Sequence, residues 1–157
     1  MIDDGFVQRF ADPAVRGFIQ KSGATPEGLQ ALEEEAFVLF NDYFRAIKTV
    51  FGEEWEGMNP KTSRLRHGAG LVAMGFVMEQ LYAAEIPNCS TDYDRFVVGL
   101  EALKPETAWT RGTWQFNELL TTPWNGIQNT PTDINMLTDY LVRALKRKMR
   151  RLQKAAA

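Results

Sequence analysis

Three groups of residues have types and spacings that could do chemistry. In Arg64-Leu65-Arg66-His67-Gly68-Ala69-Gly70, two guanidiniums and an imidazole stand beside two glycines. If a helix begins near His67, its first backbone N–H groups point outward at a positive helix end. Glycines would let an anion approach, and Arg64 and Arg66 would pair with it. The same small residues also suit close helix packing. The stretch is not a Walker A loop, because no Gly-Lys-Ser/Thr follows it, and the chain holds no Gly-x-Gly-x-x-Gly. The second group is basic: Arg143, Lys146, Arg147, Lys148, Arg150, Arg151 and Lys154 fall within twelve residues that contain no acid. Upstream of Arg143 the balance is 11 basic against 20 acidic residues. Cations so placed can follow phosphates, each contact adding to a salt-dependent affinity. They also suit a helix C-terminus as a solvated face. The third group is Trp109, Trp114 and Trp124, with Arg111 and Phe116 among them. Rings beside arginine can stack bases of a single strand. They can equally anchor an irregular segment to a core.

Other templates fit poorly. The single Cys89 and single His67 leave no internal disulfide and no zinc finger or ribbon. Cys89 lies in Pro-Asn-Cys-Ser, far along the chain from His67, and no Gly-x-Ser-x-Gly elbow exists. Glu33-Glu34-Glu35 reads as a solvated helix face. Glu53, Glu54, Glu56, Asp92 and Asp94 would hold a metal only by tertiary convergence. No catalytic residue, metal or cofactor is therefore expected. An enzyme or small-ligand site would need a pocket near His67 and Trp114.

These residues must be positioned by helices. Asp12-Pro13 and Thr25-Pro26 are polar caps followed by proline, the arrangement of a helix start. The first predicts a short helix over Pro13–Ser22. From Leu29 to Val50 apolar residues step by three or four (Leu32, Ala36, Phe40, Tyr43, Ile47), with Phe37, Phe44 and Phe51 one position round. That predicts a helix of about 26 residues, stopped by Gly52. Glu53–Pro60 reads as a connection. A third helix, from Ser63 or His67 to Ala84, is apolar nearly all round, so it is expected to be buried. A fourth, Asp92–Leu103, is capped by Ser90 or Thr91 and turns Phe96, Val97, Leu100 and Leu103 inward. Pro105–Asn129 has no strong period. Ala108–Phe116 suggests a hairpin turning at Arg111-Gly112, and Phe116–Thr121 one helical turn. Thr130-Pro131-Thr132-Asp133 caps a last helix whose inner face is Ile134, Leu137, Leu141, Leu145, Met149 and Leu152.

Length and composition agree. A chain of 157 residues, 45% hydrophobic and 24% charged, suits one domain with its own core. A net charge of −2 excludes nucleic-acid binding through bulk charge, so any such binding must be local. The longest apolar run, Leu71–Met78, is far short of the ~20 residues a spanning helix needs. Asp3 and Asp4 stand where a signal peptide would be basic. A cytoplasmic protein without a membrane partner is expected.

Three segments carry a family resemblance. Asn-Asp-Tyr-Phe-Arg-Ala-Ile-Lys-Thr-Val-Phe-Gly-Glu-Glu-Trp (41–55), the stretch from Arg64 to Met78, and Trp124-Asn-Gly-Ile-Gln-Asn-Thr-Pro-Thr-Asp-Ile (124–134) resemble the C-terminal helical half of DGQHR-domain proteins. That group includes relatives of the regulator of DNA phosphorothioation. With their intervals the segments cover roughly 100 residues. Asp-Gly-Gln-His-Arg itself does not occur in the chain. The resemblance implies an association with DNA-modification or mobile-element biology. It draws attention to Gln128, Asn129, Thr130 and Asp133 as a polar motif.

The sequence thus predicts an all-α, single-domain bundle of about five helices over residues 1–157, with a Trp-rich connection before a last helix whose end, 143–157, is basic. The leading function is a non-enzymatic accessory module for nucleic acid or a nucleic-acid-handling protein. Arg64, Arg66, His67, Gly68, Arg143, Arg147, Arg150 and Arg151 would meet phosphate, and Trp109, Arg111, Trp114 and Trp124 would stack or anchor. The alternative is a protein-interaction or homo-oligomerisation domain, motivated by the apolar third helix and the Phe37, Phe44, Phe51 row.

Overall fold

The computed structural model describes residues 26–157, so the helix expected over Pro13–Ser22 lies outside the described residues. The chain falls into two units, Met1–Asn41 and Asp42–Ala157. Five α-helices occur among the described residues: α1 (Pro26–Val50), α2 (Gly52–Trp55), α3 (Gly68–Tyr82), α4 (Asp92–Leu103) and α5 (Pro131–Ala155). The all-α expectation misses a small antiparallel sheet, β1 (Thr113–Gln115) and β2 (Thr121–Pro123), so the architecture is mostly helical. No helix among the described residues is long and apolar enough to cross a membrane.

In the first unit α1 exposes Phe37 and Val38, while Leu32, Ala36 and Leu39 are half-buried. In the second unit the same helix buries Tyr43, Ala46, Ile47 and Val50. The Phe row divides: Phe51 is enclosed, whereas Phe44 stays exposed. Tyr43 is the main tie. Its hydroxyl donates to the Met74 carbonyl on α3 at 2.6 Å, and its ring meets Phe96 of α4 edge-on at 5.0 Å. Burial pushes its phenol well above the usual range. Lys104 Nζ donates to the Val50 carbonyl at 2.7 Å, satisfying an orphan acceptor at the end of α1.

The core of this unit is α3, packed against α4 and α5. It buries Ala73, Met74, Val77, Met78 and Leu81. Full enclosure, expected from its all-round apolar sequence, does not occur: Leu71 and Val72 are exposed. Glycine allows two close approaches. An ideal Cβ on Gly70 would lie 1.9 Å from the Arg64 carbonyl oxygen, and one on Gly99 of α4 would lie 2.1 Å from Leu81 Cδ2. The helix α5 turns Leu137, Leu141, Ala144, Leu145 and Met149 inward, with Ile134 and Leu152 at the margins. It runs parallel to α3, because Gly68 abuts Asn129 at one end and Gln153 Nε2 donates to the Glu85 carbonyl at the other.

The Pro105–Asn129 connection is fixed by rings. Trp109 meets Phe51 at 6.5 Å and Trp114 at 4.9 Å, both edge-on. Trp114 stacks with Phe116, and both pack edge-on against Tyr140 of α5. The hairpin is displaced from its expected place. Its turn is Asn117–Leu120, where Phe116 N–H donates to the Leu120 carbonyl and Leu119 N–H to Asn117 Oδ1. This turn replaces the helical turn expected over Phe116–Thr121. Gly112, at φ +80°, instead leads the chain into β1, and its carbonyl accepts from Trp124 N–H.

Candidate functional site

The helix end at His67 is built as expected, and its polar groups are turned to internal use. Ser63 caps a 3-10 turn, Arg64–Arg66, and His67 then caps α3, its Nδ1 accepting from Ala69 N–H at 3.4 Å. An accepting Nδ1 requires the neutral ring. Desolvation and, secondarily, the nearby Arg64 charge hold the His67 pKa below its ordinary value. Both arginines are engaged with carbonyls of this chain. Arg64 donates to the Pro60 carbonyl at 2.8 Å and to the Asn125 carbonyl at 2.7 Å. Arg66 donates to the Met58 carbonyl and lies over the Trp55 ring at 5.2 Å. The space beside Gly68 is taken by the Asn129 side chain, 2.8 Å from where a Cβ would stand. Arg64, Arg66, His67 and Gly68 thus make structural contacts within the chain. Guanidiniums with several donors are well suited to gathering carbonyls from separate loops.

The polar motif before α5 behaves similarly. Thr130 Oγ1 accepts from Asp133 N–H, and Asp133 Oδ2 accepts from Gln128 N–H at 2.8 Å. Gln128 also donates weakly to the Gly126 carbonyl at 3.4 Å. Together they cap the helix and hold the chain entering it. Of the tryptophans, Trp109 and Trp114 are 2% and 0% exposed, which leaves neither face open to a base. Trp124 is half-buried and Arg111 exposed. A pocket using Trp114 is likewise closed. An open cleft of ≈ 670 Å³ lies elsewhere, lined by Ala84, Ile86, Pro87, Arg95 and Gln153. No group of three or more His, Cys, Asp or Glu able to hold a metal occurs among the described residues.

The basic end of α5 faces solvent as a group. Arg143, Lys146, Arg147, Arg150, Arg151 and Lys154 are exposed. At 100° per residue, Arg143, Arg147, Arg150, Arg151 and Lys154 share one side, turned away from the stripe of Leu141, Leu145 and Met149. Lys148 differs. It lies toward the core side and pairs with Glu106 at 2.8 Å. That hydrogen bond, aided by the charges of Lys148, Arg147 and Arg151, outweighs desolvation and holds the Glu106 carboxyl below its ordinary value. Tyr140, one turn before the row, donates its hydroxyl to the Glu106 carbonyl at 2.9 Å. The acid that bends Lys148 away was not legible in the sequence, since 42 positions separate the pair.

No protein-family model, no curated protein and no solved structure matches the chain.

Proposed function

We propose that the chain is a non-enzymatic accessory module that binds nucleic acid, or a partner that carries it, through the basic side of α5. The observation that carries this reading is the segregated row Arg143, Arg147, Arg150, Arg151 and Lys154, exposed on one helix side in a chain whose net charge is −2. Among the described residues, Arg147, Arg150 and Arg151 enter no ion pair, so their charge remains available. The resemblance to the C-terminal half of DGQHR-domain proteins points to the same DNA-associated setting. Anisotropy with labelled mixed-sequence nucleic acid at about 50 and 200 mM salt tests it. Binding through several phosphates should weaken by up to about 10³-fold across that range. Changing Arg147, Arg150 and Arg151 to Glu should abolish it. No binding at tens of micromolar would make the row a solvated helix face.

A second reading, protein interaction or self-association, is favoured by the exposed apolar side chains Phe44, Leu71 and Val72. Light scattering at high micromolar concentration tests it, and a strictly monomeric species would count against self-association.

A further inference from the structure

We infer that the polyanion is double-stranded nucleic acid, held along its phosphate backbone and without base stacking. This inference rests on the phosphate-binding reading of α5 and narrows it to one class of ligand. Single strands are held where a basic groove is lined with open rings on which successive bases stack. The rings that adjoin this row are closed to bases. Trp114 and Phe116 are buried, and Trp109 lies behind Trp114. Tyr140 is half-buried between them, with its hydroxyl committed to the Glu106 carbonyl. What remains is charge on a stiff support. From Arg143 to Lys154 the helix rises about 16 Å, and the row places cations about 4.5–6 Å apart along it, with Arg150 and Arg151 adjacent. The support is fixed by Leu141, Leu145 and Met149 in the core and by the Gln153 bond to the Glu85 carbonyl. A cation row of fixed spacing suits a phosphate array that is itself stiff. A duplex supplies one, with a persistence length of about 50 nm. A flexible strand must first be ordered along the row, with no stacking to offset the lost entropy.

The row's one amide is tied to the fold through its nitrogen. Gln153, near its end, is engaged by the Glu85 carbonyl. Binding by a row of cations is expected to depend on backbone charge more than on sequence. The test is anisotropy on the full chain with a labelled 20-base-pair duplex and with each of its single strands, at equal ionic strength. The duplex should bind at least about tenfold more tightly, with a log–log salt slope of about −4 for four to five phosphates. Two duplexes of unrelated sequence should agree within about threefold. Equal or tighter binding of the single strands would overturn this inference and leave the phosphate reading intact. Absence of binding by duplex and single strands alike would remove both. The variant with Arg147, Arg150 and Arg151 changed to Glu, shown by circular dichroism to be folded, should lose the duplex. If it keeps the duplex, the row is not the contact.

Discussion

Gly70 of α3 lies directly against the Arg64 carbonyl oxygen: a Cβ on Gly70 would fall 1.9 Å from that atom. The obstacle is backbone, and Arg64 cannot withdraw. Its N–H donates to the Trp109 carbonyl, and its guanidinium holds the Pro60 and Asn125 carbonyls. Gly70→Ala gains about 1 kcal/mol in helix propensity. The overlap should cost more, for a net loss of about 2 kcal/mol or more in urea unfolding. Gly52→Ala is the control. A Cβ there meets nothing within 4 Å, and stability should be unchanged or rise by up to about 1 kcal/mol.

The contact between Gly99 and Leu81 gives a different result, because the obstacle is the end of a side chain. A methyl on Gly99 would meet Leu81 Cδ2 at 2.1 Å, and both residues are buried between α4 and α3. Gly99→Ala alone should destabilise by about 1–3 kcal/mol. In a Leu81→Ala background the clash is gone, so the same change should be neutral or stabilising. A double-mutant cycle in urea should show at least about 1 kcal/mol of coupling. Additive effects would mean that Leu81 turns aside at no cost.

These two contacts show where the sequence stops being legible. Helix α4 was readable to its ends, since Thr91 caps it and the apolar spacing runs unbroken to Leu103. The start of α5 was equally clear from Thr130 and Pro131. Both are decided within one turn of chain. A hairpin is legible in the segment but its place is not, because the six strand residues include Thr113, Gln115, Thr121 and Pro123, which carry little apolar pattern. Its place depends on Trp114 meeting Tyr140, a contact made across distant sequence. The glycines at 68 and 70 signal close approach, but the sequence leaves open whether an anion or the chain itself approaches. It is this chain's own Asn129 and Arg64 carbonyl, the close packing that the small residues also suited. The exposure of the basic row is legible because a charged helix side needs no partner to face solvent.

His67 makes stability sensitive to mild acid. The folded chain uses Nδ1 as an acceptor for Ala69 N–H, and desolvation and Arg64 hold the ring below its ordinary pKa. The unfolded chain therefore takes up a proton first, near pH 6.5. The stability this group contributes is present above that pH and declines as pH falls toward the folded-state value. Urea midpoints from pH 8 to 5 should fall accordingly. His67→Asn, which keeps an oxygen acceptor at the cap without a titrating ring, should flatten the part of the profile below pH 6.5. A profile unchanged by that substitution would place the sensitivity elsewhere.

Glu106 sets both an acid limit and the charge of the row. Its carboxyl lies below the ordinary value because Lys148 binds it and Arg147 and Arg151 stand near. The stability it contributes is present above about pH 4.5 in the unfolded reference and is lost as pH falls through the folded value. Glu106→Gln should remove that acid-side loss. It leaves the Tyr140 hydroxyl bonded, because that bond goes to the Glu106 backbone carbonyl. The same change removes a negative charge beside the row and frees Lys148. If α5 binds phosphates, affinity for duplex should rise by about threefold to tenfold at low salt. The log–log slope should steepen by up to about 0.9, the increment for one further contact. A purely structural role for the pair predicts only the acid-stability change. Weaker duplex binding by a folded Glu106→Gln protein would mean that Lys148 must be held against Glu106 for the row to keep its form.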